Sequence, residues 1–251
     1  MKRLRGFTLA EVLITLGVIG VVASMTMPTL IQNYKKAVTI NQLKKTYSTF
    51  AQALNKLMAD DEVTTLSQTD LAKIAENHKQ CKSQADNAEA TTLCNSEKNV
   101  AVYNILKKYL NVVSIQKLDG YSFAWLNMND SGENLNDSFG MFLSDGTILI
   151  KVSDAEFLND GTLYYSFYFD INGLKGPNIV GRDIFKFDIY SDKLYPCGTK
   201  AYSEQRFKYS KDNKDLRNWE NGTQIYNCTT KNNSYGNGCA GRIFDEGTIN
   251  Y

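Results

Sequence analysis

The sequence predicts an α+β protein: one long N-terminal helix, a membrane half followed by an amphipathic half, packed on a C-terminal antiparallel β-sheet. Three features predict it. An apolar run from Phe7 to Leu30 is long enough to cross a bilayer as a helix, which takes roughly 20 apolar residues. From Leu30 to Leu57, apolar residues recur at three- to five-residue steps among lysine, glutamine and asparagine, the pattern of a helix with one apolar face. Beyond residue 120, aromatic and β-branched residues gather in short runs bounded by glycine, asparagine and aspartate, as in strands.

At 251 residues, with 22% charged and 43% hydrophobic, the chain can bury one good core with a small appendage. The formal net charge is +1, so no strong field calls for nucleic acid. Lys2, Arg3 and Arg5 stand ahead of the apolar run; without them the remainder holds 25 basic and 27 acidic side chains, a formal −2.

In the N-terminal run, Glu11 does not fit a plain anchor. A carboxylate at the centre of a membrane helix costs on the order of 2.5–3.5 kcal/mol, less near an end, and it seeks a partner. Pro28 removes a backbone donor and is expected to kink or loosen the helix. Lys35, Lys36, Lys44 and Lys45 follow the run, so a lysine and arginine count does not set the orientation. Ala23-Ser24-Met25 reads as a small-residue cleavage site, which leaves an ordinary secreted chain as one alternative.

Gly6-Phe7-Thr8-Leu9-Ala10-Glu11, with its short basic leader and long apolar helix, resembles the processing site of type IV prepilins and type II secretion pseudopilins. The resemblance covers Met1 to about Ala53. It implies a pilin-like fold, with Gly6 as the last leader residue and Phe7 as the first mature one. It implies a prepilin peptidase that cuts between them on the cytoplasmic side and methylates the new amine. It also implies that Glu11 meets the Phe7 amine of a neighbouring subunit and sets axial register; Pro28 matches the same pattern. The partners implied are other pilin or pseudopilin subunits, an inner-membrane assembly platform with its ATPase, and lipid before assembly. The implied place is the bacterial inner membrane, single-pass, with the C-terminal domain in the periplasm.

The amphipathic continuation is expected to end near Asp60-Asp61. The stretch from Thr69 to Cys81, with Leu71, Ile74 and Ala75, predicts a short helix, and Glu97 to Leu110 predicts another. Cys81 and Cys94 bracket the link between them, and a bridge closing that loop adds roughly 3 kcal/mol by the chain-entropy model. Strands are expected at Tyr121–Leu126, Phe139–Leu143, Thr147–Val152, Leu163–Asp170 and Ile184–Tyr190, with Ser144-Asp145-Gly146 as a hairpin turn and Leu163–Asp170 central.

The link from Asp170 to Asp183 concentrates oxygen side chains among glycines. Asp170, Asn172, Asn178 and Asp183 are candidate ligands for a hard cation such as Ca²⁺, the possible cofactor; the alternative is a turn-rich connection with Asx-turns. In the polar tail, a Cys228–Cys239 bridge, or Cys197 with either, would staple the loops, and the choice stays open. Trp219, Tyr226 and Tyr235 are a candidate binding patch or packing residues.

No nucleophile motif, phosphate loop or zinc spacing is present; the single histidine, His78, sits in a polar helix and is expected to be exposed. An enzyme is therefore not expected. The expected organisation is a leader at 1–6, a membrane and assembly helix at 7–30, its amphipathic continuation at 31–60, and a globular domain at 61–251 with disulfide-stapled loops. The expected function is a structural fibre subunit, and the alternative is a membrane-tethered extracytoplasmic binding or adhesion protein.

Overall fold

The computed structural model describes residues 8–127, 131–136, 138–158, 161–190, 193–206, 227–230 and 234–251. The chain divides into two units, Met1–Val38 and Thr39–Tyr251. Helix α1 (Leu9–Asp60) contributes to both.

In the first unit α1 carries no buried residue. Its large side chains stand open: Leu13, Ile14, Leu16, Val18, Ile19 and Met25 are all exposed. Three of its hydroxyls turn back onto the helix. Thr15 donates to Val12 O at 3.0 Å, Ser24 to Val21 O at 2.8 Å and Thr26 to Val22 O at 3.0 Å. Such back-bonding satisfies the hydroxyls where no water is present.

In the second unit the order is α1, a 3₁₀ turn (Leu66–Gln68), α2 (Asp70–Gln84), α3 (Ala88–Leu106), β1 (Val112–Lys117), β2 (Ser122–Ala124), β3 (Gly132–Asn134), β4 (Phe139–Leu143), β5 (Ile148–Phe157), β6 (Leu163–Asp170), β7 (Ile184–Tyr190), β8 (Lys193–Pro196), α4 (Lys200–Arg206) and α5 (Cys239–Glu246). Six strands form one antiparallel sheet in the order β1-β4-β5-β6-β7-β8, and β2 pairs with β3 separately. The α+β, pilin-like arrangement of a long helix followed by an antiparallel sheet is thus the observed one.

The lower part of α1 buries Leu43, Thr46, Phe50, Ala53, Leu54 and Leu57, a 3.6-residue stripe. The stripe meets aromatic side chains on one face of β6 and β7. Phe50 stands edge-on to Phe167 and Phe169 at 4.8 and 5.0 Å between centroids, and Tyr47 to Phe187 at 5.7 Å. Two polar links fix the rest of this segment. Lys45 pairs with Asp145 at 3.0 Å, and Gln42 donates to Thr147 at 3.1 Å.

The opposite face of the sheet is covered too, around Tyr121, Phe123, Ile150, Tyr168, Val180 and Ile184. Every residue of β6 and β7 is therefore buried. The polar residues on this face bond to one another: Ser166 donates to Asp188 at 2.7 Å and Lys186 lies 3.4 Å from the same oxygen.

Several boundaries differ from the sequence reading. Helix α3 begins at Ala88, nine residues earlier than Glu97, because Asn87 caps it by accepting from Ala90 N at 2.8 Å. The expected strand at Tyr121–Leu126 shrinks to Ser122–Ala124 and pairs with β3, away from the main sheet. Strand β5 runs on to Phe157, past two irregularities in its pairing with β6. His78 is buried, not exposed, with its ring against β5.

Phe50→Ala removes the ring that fills the gap between Phe167 and Phe169. It should lower the stability of the second unit by about 3–5 kcal/mol, read as a lower midpoint in urea denaturation followed by near-ultraviolet circular dichroism. Leu30→Ala, on the exposed part of α1, should leave that midpoint where it is.

Candidate functional site

The start of α1 is built around Glu11. Thr8 precedes the helix, and its backbone N–H donates to Glu11 Oε2 at 2.8 Å. Its hydroxyl donates to the same oxygen at 2.9 Å, and Glu11 N–H donates back to Thr8 Oγ1 at 3.3 Å. This is a reciprocal capping box, with Thr at the N-cap and Glu three residues on. It satisfies amide donors that a helix start leaves open, and it sets a negative charge against the positive end of the helix dipole. The carboxylate is held beside the helix entrance and is exposed there.

Thr8 is the residue that sequence reasoning passed over. Its signature, Thr-x-x-Glu ahead of an apolar run, is readable in Thr8-Leu9-Ala10-Glu11. Gly6 and Phe7 lie outside the described residues. Pro28 lies inside α1, where its ring removes the donor that Ser24 O would otherwise receive. From Thr8 to Tyr34, Glu11 is the only charged side chain in the sequence.

The cysteines form two bridges, Cys81–Cys94 and Cys228–Cys239. The first ties α2 to α3, and the second joins the tail to the start of α5. Cys197 is buried and belongs to neither.

Asp170, Asn172, Asn178 and Asp183 do come together. Asp183 accepts from Ile179 N at 2.7 Å, Asn178 N at 2.9 Å and Asn172 Nδ2 at 3.3 Å. Asp170 accepts from the Tyr121 hydroxyl at 2.5 Å and from Asn172 N at 3.1 Å. Amide donors and the Tyr121 hydroxyl converge on these carboxylates, so as folded here they serve the backbone and side chains of their own loop and of Tyr121. Among the described residues no group of three or more His, Cys, Asp and Glu is placed to hold a metal ion. The carboxylates instead fasten the β6–β7 connection. Burial raises the Asp170 carboxyl to about 7, against the lowering effect of the Tyr121 bond. Burial raises Asp183 as well.

Of the candidate patch in the tail, Trp219 and Tyr226 lie outside the described residues. Tyr235 packs edge-on to Trp125 at 4.9 Å and serves the cover of the sheet.

Residues 1–27 match a protein family described as the prokaryotic N-terminal methylation motif, the prepilin-type cleavage and methylation segment. The match spans the basic N-terminal stretch, Glu11 and most of the apolar run. This is a structural, pilin-type motif, not one of an enzyme family. Neither the curated proteins nor the solved structures contain a match to the chain.

The Asp170 carboxyl makes a pH prediction. The unfolded chain releases this proton near the ordinary value of 3.8, while the folded chain keeps it to about 7. The folded state is favoured fully below pH 3.8 and loses that advantage as pH rises to 7. Asp170→Asn keeps an acceptor for Tyr121 and removes the titration. Compared with that variant, the unaltered chain should lose up to about 4 kcal/mol between pH 4 and 7, measured as the difference between the two denaturation curves.

Proposed function

We propose that this chain is the precursor of a pilin or pseudopilin, a structural subunit of a type IV pilus or a type II secretion pseudopilus. One observation carries the reading: the methylation motif lies on a helical segment, Leu9 to Tyr34, that buries no side chain and whose only charge is one carboxylate at its start. A helix of this kind is long and apolar enough to cross a membrane. In water its exposed side chains have no partner, so it belongs in lipid or against copies of itself.

In this reading residues 1–6 are a leader, 7–30 the membrane and assembly segment, 31–60 the continuation that holds the head, and 61–251 the head. Prepilin peptidase cuts between Gly6 and Phe7 and methylates the new amine. The cut leaves an ammonium beside hydrocarbon, where an unpaired charge is costly. The Glu11 carboxylate of a neighbouring subunit neutralises it and fixes the axial step between subunits. An inner-membrane assembly platform draws the subunits from the membrane. The head lies in the periplasm, a compartment where two disulfides form and persist.

The intact mass of protein purified from membranes of cells with a prepilin peptidase tests the route. A start at Phe7 with one added methyl is expected, and a start near Met25 or an uncut chain overturns the reading. Glu11→Ala should still be cut but should give few fibres in electron micrographs of sheared cells. Normal fibres from that variant would remove Glu11 from assembly.

A further inference from the structure

The uncharged part of α1 has the length of a bilayer core. From Val12 to Ile31 there are 20 residues, none of them charged. At about 1.5 Å per residue they rise through about 30 Å, the thickness of the hydrocarbon layer. With Glu11 at one face of that layer, Gln32-Asn33-Tyr34-Lys35-Lys36 falls at the other. These residues are still helical and rise through about 7 Å, the depth of one headgroup layer. Tyr34 and two lysines are thus set at headgroup depth.

The charge on this side has one sign. Between Glu11 and Asp60 the sequence holds no Asp or Glu, and its charged residues are Lys35, Lys36, Lys44, Lys45 and Lys56. Lys45 pairs with Asp145, but Lys35 and Lys36 have no carboxylate within 4 Å among the described residues. No acidic residue stands three or four positions from either, so the helix does not neutralise them itself. Tyr34 is 69% exposed, Lys35 is exposed and Lys36 half-exposed.

These residue types suit that depth. A lysine lays its methylene stem along hydrocarbon and carries its ammonium to the phosphates, and a tyrosine ring sits at the same boundary with its hydroxyl outward. Lys35 and Lys36 are turned by about 100° from each other around the axis, so each reaches headgroups on its own side of the helix.

We infer that Tyr34, Lys35 and Lys36 form a collar that binds the phosphates of anionic phospholipids in the leaflet on the head's side of the membrane. The inference rests on the membrane-anchored reading given above. A zwitterionic lipid carries its own cation beside the phosphate, whereas phosphatidylglycerol leaves the phosphate charge for the two ammonium groups. The lysines that follow the span therefore have a partner where they stand, although they oppose the usual placing of positive charge at the cytoplasmic end.

The test places the full chain in phosphatidylcholine vesicles at low ionic strength. Spin-labelled phosphatidylglycerol or phosphatidylcholine is the probe, and electron spin resonance reads the lipid held at the protein surface. The unaltered chain should hold the glycerol lipid at least about twofold more strongly than the choline lipid. Lys35→Gln/Lys36→Gln should lose about half of that preference or more, and Lys35→Arg/Lys36→Arg should keep it. Lys2, Arg3 and Arg5 are the same in all three chains, so the difference belongs to the collar. A preference unchanged in the glutamine variant overturns the inference, and fewer fibres from that variant would then assign the lysines to carboxylates of a second copy. A chain that alkaline carbonate strips from the vesicles overturns the anchor as well, which separates the two failures.

Discussion

The contact of Phe50 with Phe167 and Phe169 organises the head, because a helix stripe is stable only against a flat apolar face. Strands β6 and β7 supply that face with Tyr165, Phe167, Phe169, Phe185 and Phe187. Their other face is covered as well, so these strands cannot follow the simple rule of apolar inward and polar outward. The polar residues left inside must answer one another. Tyr164 and Ser166 share a bond at 2.7 Å, Ser166 donates to Asp188, and Lys186 stands beside that carboxylate. A network of this kind has a single arrangement in which its bonds are made, and it pins the register that brings Phe167 under Phe50.

In its first half the same helix has the opposite character. Each open Leu, Ile or Val gains about 1.5–3 kcal/mol when fully buried, and nothing in the first unit buries it. The hydroxyls of Thr15, Ser24 and Thr26 are already satisfied by the helix itself. Glu11 is different. Thr8 holds it at the helix start, but hydrogen bonds do not remove its charge. A lone, positioned charge on an apolar rod is a selective contact, because any packing of rods that leaves it unpaired is penalised.

The long helix, its change from apolar to amphipathic, and the central strands β6 and β7 were legible in the sequence because their periodicity is strong and local. Cys81 and Cys94 were readable as a pair because they bracket a short link. The reading missed what depends on tertiary contact. Asn87 extends α3 by capping it, a choice that asparagine chemistry permits but does not require. His78 looked like a solvated residue of a polar helix, yet β5 carbonyls draw it inward. Strands β1 and β8 are short, and their pairing with β4 and β7, not their own composition, makes them strands. The Asp170–Asp183 loop shows the limit most clearly. Its composition left a cation site and a turn-rich connection open, and the direction in which the backbone turns the Asn178 and Ile179 amides toward Asp183 is not written in composition.

Three strand sides of the six-stranded sheet have no strand beside them among the described residues. Strand β1 carries an irregularity between Val112 and Ser114 and ends in Lys117, both of which discourage a further strand. Strand β8 is four residues long and ends in Pro196. The free side of β5 is occupied by Lys98 and His78. Each of these sides thus carries a feature that disfavours a further strand. The upper half of α1, by contrast, is left wholly open. The fibre subunit proposed above would associate through this helix and not through its sheet. Apolar packing there is tolerant of small shifts, and in the function proposed above it is the Glu11 charge that would supply the register.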